Sequence, residues 1–207
     1  MLATRNPGKL REIRQVLGDL PVRVVGLEAF GGIPEPAEEG STFARNARDK
    51  ALYYARRTAC WCLADDSGLV VDALGGAPGV HSARYAAEKF PPAAGRGVRD
   101  AANTAKLLAA LAGTADEKRT ARFVCHLALA DPDQILLEAS GTIEGTITRR
   151  RRGENGFGYD PVFLVPEAGR TAAEMSPREK NAISHRGQAV RNFARLLKGL
   201  LDSRAGR

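Results

Sequence analysis

Leu2-Ala3-Thr4-Arg5-Asn6-Pro7-Gly8-Lys9-Leu10 reads as a short strand (residues 2–4) running straight into a helix. Asn6 suits an N-cap, because its short polar side chain can take up a free helical N–H. Pro7 fits the first helical position, where no amide hydrogen bond is lost. Leu10, Ile13 and Leu17 recur at helical spacing, Gly18 closes the helix, and residues 22–25 read as a second strand. Strand, helix and strand in this order predict an α/β fold.

Outward from there, residues 31–40 form a Gly/Pro/Glu loop, and Ser41 or Thr42 caps a helix with Phe43, Ala47, Ala51 and Tyr54 on one stripe. Residues 61–64 read as a buried strand, broken by Asp65-Asp66-Ser67-Gly68 and resumed at 69–71. A helix over 100–111 ends near Gly113, and three strands follow at 122–130, 135–140 and 142–148. Asp131-Pro132-Asp133 makes the first turn between them. A last helix, after Ser184, places Ala189, Phe193, Leu196, Leu197 and Leu200 on one side. No repeat and no linker divides the 207 residues, so one α/β unit with a β-rich lobe is expected.

Composition narrows the function classes. Hydrophobic residues at 43% and charged residues at 27% are those of an ordinary water-soluble domain, and no apolar run nears the roughly 20 residues a membrane span needs. With no signal-peptide pattern at the N-terminus, a cytoplasmic, membrane-free protein is expected. Three cysteines (Cys60, Cys62, Cys125) argue against a disulfide framework, and nothing near Cys60 and Cys62 completes a zinc set. The net charge of +7 favours anionic partners, but much of it lies in the Arg run 149–152 and the C-terminal tail, where charge is usually solvated.

Five places carry residues suited to chemistry. The turn Thr4-Arg5-Asn6-Pro7-Gly8-Lys9 offers helix N-terminal amides and a lysine, a setting that attracts phosphate without being a Walker A loop. Glu38 and Glu39 precede a helix carrying Asn46 and Lys50 on one face, and a carboxylate with an amine at one mouth suits a metal-bound phosphate chain. Asp65 and Asp66, adjacent on a strand, are costly to bury unless they bind a metal, pair with a base or cap a turn. Alternation sends their side chains to opposite sides, and a hard cation such as Mg²⁺ fits them better than calcium. Gly156-Phe157-Gly158-Tyr159-Asp160-Pro161 presents two aromatics for stacking and a carboxylate for a base edge. Lys180 and Ser184-His185-Arg186 lie before and at the start of the last helix, where they can meet a base carbonyl or a phosphate.

The order of these motifs, with Asp72-Ala73-Leu74-Gly75-Gly76-Ala77-Pro78-Gly79-Val80 and Ser82-Ala83-Arg84-Tyr85 between them, resembles the Ham1 family of non-canonical purine nucleotide pyrophosphatases over essentially the whole chain. The resemblance implies an elongated mixed sheet with flanking helices, an ITPase-like single domain over 1–207 whose two lobes hold the active cleft between them. It implies Mg²⁺-dependent hydrolysis of ITP, dITP and XTP to the monophosphate and pyrophosphate, a homodimer, and no stable nucleic-acid partner. By matching motif, Thr4, Arg5, Asn6, Pro7, Gly8 and Lys9 hold the phosphates. Glu38 and Asp66 serve the metal, with Asp66 also the base; Lys50 contacts the phosphate chain or assists the attacking water, and Ser67 binds substrate. Phe157, Gly158, Tyr159, Asp160, Lys180, His185 and Arg186 form the base and sugar pocket.

The chemistry is consistent with that set. Inosine and xanthosine carry a 6-oxo group that donors such as His185 or Arg186 can satisfy, and adenine leaves such donors unpaired. One departure stands out: Arg45 occupies a position before Asn46 where the family commonly has glutamate. Two alternatives compete. A Maf-like pyrophosphatase shares related architecture, but Ser184-His185-Arg186 and Phe157-Gly158-Tyr159-Asp160 argue against it. A nucleic-acid module built on the Arg run leaves Glu38, Asp65 and Asp66 without a purpose, because carboxylates repel phosphate unless a metal intervenes.

Overall fold

The computed structural model describes residues 1–4, 7–91 and 93–205, with Pro7, Gly8 and Glu12 as helical backbone only. Five α-helices are present among these residues: α1 (Pro7–Val16), α2 (Phe43–Thr58), α3 (Arg96–Ala110), α4 (Pro177–Ile183) and α5 (His185–Ala205). The strands β1 (Cys62–Val71), β2 (Thr120–Ala130), β3 (Ile135–Ile147), β4 (Phe163–Val165) and β5 (Arg170–Thr171) form one sheet in the order β1-β2-β3-β4-β5. β4 runs antiparallel to both β3 and β5. Leu2 adds parallel bridges to Gly26 and Leu63, so the sheet region is mixed, as the α/β expectation requires.

The chain divides into two compact units. The first comprises Met1–Asp66, Cys125–Gly141 and Arg186–Arg207, and the second comprises Ser67–Val124 and Thr142–His185. Within the first, strand alternation separates two cores. Leu63, Cys125, Leu127 and Leu129 pack against Leu10 and Ile13 of α1, Leu17 just after it, and Phe193 and Leu197 of α5. Cys62, Ala64, Ala128 and Ala130 pack against Ala47, Ala51, Tyr54 and Ala55 of α2. Leu196 belongs to neither core and is 46% exposed, so the expected stripe on α5 is narrower than Leu196 and Leu197 together. The second unit has its own core, built from Leu69, Val71, Leu107, Leu111, Ile147, Val162 and Phe163 among others.

Several expected boundaries change. β1 runs unbroken through Asp65-Asp66-Ser67-Gly68, where a break was expected. The ladder continues because the two carboxylates are met by side chains and need no turn to reach water. β3 likewise passes through Gly141 as one strand, in place of two separate ones. Residues 22–25 are extended but not laddered; the Val25 carbonyl accepts from Leu2 N–H at 2.8 Å, and only Gly26 makes a bridge. Gly18 lies two residues beyond the last residue of α1. Thr42 does cap α2, its hydroxyl accepting from Arg45 N–H at 3.1 Å, and Asp131 Oδ1 accepts from the amides of Asp133 and Gln134 to make the expected turn.

Candidate active site

β1 carries the two acidic residues to opposite faces. Asp65 shares the face of Leu63, toward α1, and Lys9 of α1 donates to Asp65 Oδ2 at 2.6 Å. Asp66 shares the face of Cys62 and Ala64, toward α2, and Asn46 of α2 donates to Asp66 Oδ2 at 2.9 Å. Both aspartates are 8% exposed. Burial alone would raise the Asp65 carboxyl, but the charges of Lys9, Arg186 and Lys50 outweigh it and hold that group well below the usual carboxylate range.

Lys50 stands one turn beyond Asn46 on α2 and joins both carboxylate surroundings. Its ammonium pairs with Glu38 and donates to the Asp65 carbonyl at 3.3 Å. Burial would lower its affinity for a proton, but the hydrogen bond and charge of Glu38, with the charges of Asp65 and Asp66, raise it overall. Lys50 is therefore held as a cation and is unsuited to accept a proton. Glu38, Lys50 and Asp66 thus form one cluster of two carboxylates and one ammonium. Among the described residues no group of three or more His, Cys, Asp or Glu side chains is placed to hold a metal. Two carboxylates nevertheless fit a hard cation that keeps most of its waters and takes its remaining oxygens from phosphate.

The turn from Thr4 to Lys9 is partly described. Arg5 and Asn6 lie outside the described residues, so the expected Asn6 cap does too. Pro7 does open α1, and Thr4 and Lys9 flank that opening, with Lys9 anchored on Asp65. Arg45, the departure from the family pattern, is largely exposed and pairs with Asp49 one turn on, at 3.2 Å.

In the second unit, Asp160 at the end of the aromatic loop and Lys180 and Ile183 of α4 line a small, partly open recess. Asp160, Lys180, Ser184 and His185 supply its polar groups, and Phe123, Phe163 and Met175 are among its apolar walls. Lys180 forms an ion pair with Asp160, whose Oδ2 also accepts from Phe157 N–H at 2.7 Å. Gly156 is needed there: at φ +79° it would be strained with a side chain, and a Cβ would meet Asp160 Oδ2 at 2.1 Å. The His185 ring lies against Phe123, centroids 5.0 Å apart and planes 14° from parallel.

The two aromatics of the loop have different environments. Phe157 is 40% exposed, and the Arg96 guanidinium lies 4.1 Å from its ring centroid. Tyr159 is buried, donates to the Ser82 carbonyl at 2.9 Å and belongs to the core, so its ring offers no open stacking face. Gly158 N–H donates to Asp100 at 2.8 Å, and Ser67, on β1, is half-buried. Two residues of the site have no counterpart among the sequence-based candidates: Asn46 as a partner of Asp66, and Phe123 under His185. Asn46 was legible as a helix-face neighbour of Lys50, whereas Phe123 looks like any other strand residue.

His126 Nε2 and Glu138 Oε1 are 2.8 Å apart, and Arg48 donates twice to the same carboxylate.

Comparison with known proteins gives a consistent result. The Ham1 family model matches residues 1–196. A protein named dITP/XTP pyrophosphatase from Syntrophobacter fumaroxidans is 52% identical over 204 residues, covering 97% of this chain and 84% of its own. The solved structure of a HAM1 protein from Coxiella burnetii matches with a TM-score of 0.86 at 44% identity, covering 96% of this chain and 97% of that one. The Ham1 protein of Staphylococcus aureus matches with a TM-score of 0.84 at 39% identity, over 96% and 97% of the two chains.

Proposed function

The chain belongs to the Ham1 family, and from that premise we propose how its two groups of side chains divide the work of a nucleoside triphosphate pyrophosphohydrolase. The reaction is hydrolysis of non-canonical purine nucleoside triphosphates such as dITP, XTP and ITP, releasing the monophosphate and pyrophosphate. The observation that carries the assignment is the cluster of Glu38, Lys50 and Asp66, two carboxylates and a lysine held charged between them.

In this reading Glu38 and Asp66 hold Mg²⁺, their oxygens being the hard donors that ion prefers. Bound there, Mg²⁺ would neutralise the triphosphate and lower the barrier to attack at phosphorus. Lys50 adds a fixed positive charge at the phosphate chain, and Lys9 with the turn from Thr4 through Gly8 binds the remaining phosphate oxygens. Asp66 takes the proton of the attacking water, and Ser67 contacts substrate.

The recess lined by Asp160, Lys180 and His185 receives the purine, with Phe157 and Arg186 completing the base and sugar contacts. Donors aimed at the 6-oxo group reject adenine, which brings a donor of its own and leaves theirs unpaired. Gly158 and Tyr159 act here by shaping the loop. We further propose that the chain works as one domain, as a homodimer in the cytoplasm, without a stable nucleic-acid partner. No described helix is long and apolar enough to cross a membrane.

The test is pyrophosphate release from dITP, XTP, ITP, GTP and ATP, each with and without Mg²⁺. Release confined to the deaminated purines and dependent on the metal supports the proposal. Equal release from ATP would remove the base-pocket assignment, and release without any divalent ion would remove the metal assignment.

A further inference from the structure

Asn46 is 2% exposed, and both ends of its amide are engaged. Its Oδ1 accepts from Gly40 N–H at 2.8 Å, and its Nδ2 donates to Asp66 Oδ2 at 2.9 Å. The partners decide which end is which, because a backbone N–H can only donate and a carboxylate only accept. Gly40 stands two residues after Glu38, and a Cβ there would lie 2.5 Å from Asn46 Oδ1 and 2.7 Å from Arg45 Cγ. The loop that carries Glu38 is therefore seated on α2 at contact distance, and the same amide that seats it grips the carboxylate of Asp66.

We infer that Asn46 is the positioning residue of the metal-binding carboxylates. It fixes Asp66 in one orientation and ties the Glu38 loop to α2, so that both acidic groups and Lys50 are arranged before substrate arrives. This rests on the proposal that Glu38 and Asp66 hold a divalent cation. A buried asparagine that merely satisfies its own polar atoms would lend stability and leave metal affinity alone. Partners of metal ligands behave differently: losing one typically weakens metal binding or activity about 10–100-fold.

The experiment titrates substrate-free protein with Mn²⁺ alone by calorimetry, comparing wild type with Asn46→Ala, Asn46→Ser, Glu38→Gln and Asp66→Asn, each checked for native circular dichroism. Expected results are measurable Mn²⁺ binding by wild type, its loss in Glu38→Gln and Asp66→Asn, and binding about 10–100-fold weaker in the Asn46 variants. In the hydrolysis assay the half-saturating Mg²⁺ of the Asn46 variants rises by a similar factor, while KM for dITP at saturating Mg²⁺ stays within threefold of wild type. Folded Asn46 variants that bind Mn²⁺ like wild type, beside carboxylate variants that do not, would overturn the inference and leave the metal reading standing. Mn²⁺ binding indifferent to Glu38→Gln and Asp66→Asn would overturn the metal reading, and the inference with it. No Mn²⁺ binding by wild type, or unfolding of both Asn46 variants, also overturns the inference, because the site would then not be arranged in advance or the amide would be a core requirement.

Discussion

Lys9 and Asp65, 56 residues apart in sequence, meet at 2.6 Å, so α1 is tied to the acidic strand β1 by an ion pair. Lys9 is 25% exposed and Asp65 8%, which leaves the pair only partly screened by water. A lysine anchored in this way points its ammonium to one place before any ligand arrives.

Lys9→Met is expected to destabilise the fold by about 1–3 kcal/mol at pH 7, the usual cost of leaving a buried polar group without its partner. Because the native Asp65 carboxyl is held below its ordinary value, its contribution is fully present above about pH 4 and is lost as the pH falls through the native value. Urea unfolding of wild type and variant should therefore differ most near neutrality and converge in acid. A difference that grew with acidity would contradict the pairing.

Asp66→Asn should keep the fold, since Asn46 can still meet an amide oxygen at that position. It should lower kcat by about 10²–10⁴-fold if Asp66 takes the proton of the attacking water. Turnover within a few-fold of wild type would sink that role.

Gly40→Ala places a methyl group 2.5 Å from Asn46 Oδ1. The side chain must turn away or the loop must lift, and either breaks the Gly40–Asn46 hydrogen bond. Hydrolysis of dITP at low Mg²⁺ is expected to fall at least tenfold, the lower bound for loss of support behind a metal ligand. The same variant assayed at high Mg²⁺ should recover part of that loss, and a loss independent of Mg²⁺ would point elsewhere.

Phe123→Leu removes the ring that lies parallel to His185 while keeping an apolar side chain in the recess wall. A stacked ring limits how the imidazole turns, so its removal should cut the preference for ITP over ATP several-fold with little change in thermal stability. The ratio of kcat/KM values for the two nucleotides checks this, and an unchanged ratio would show that His185 is held by other contacts.

Thiol reactivity reports on β1. Burial pushes the Cys62 thiol up to about 12, and Cys125 is fully buried, whereas Cys60 is half-exposed. A thiolate reagent at pH 8 should titrate one cysteine quickly in the native protein and all three after unfolding. Two fast thiols in the native protein would mean that β1 at Cys62 or β2 at Cys125 opens.

Much of this was open to reading in the linear chain. Thr42 as a cap, the stripe of Ala47, Ala51 and Tyr54, and the turn at Asp131 follow from local rules of hydrogen bonding and periodicity, so the sequence by itself determined α1, α2, α3, α5 and β2, whereas the short α4, β4 and β5 carry too few residues for a periodic signal. The order of the motifs also singled out Glu38, Lys50 and Asp66, which the fold brings together, and Asp160, Lys180 and His185, which line one recess. Where local rules failed, a distant side chain was the cause. Asp65-Asp66-Ser67-Gly68 looks like a break because two carboxylates in a buried strand are costly, and it is a continuous strand because Lys9 and Asn46 arrive from two different helices to satisfy them. Tyr159 looks like a stacking face and is a core residue because the Ser82 carbonyl, 77 residues away, accepts a hydrogen bond from its hydroxyl. Only the tertiary structure decided these, because the free energy of a buried polar group depends on partners that sequence neighbours cannot supply.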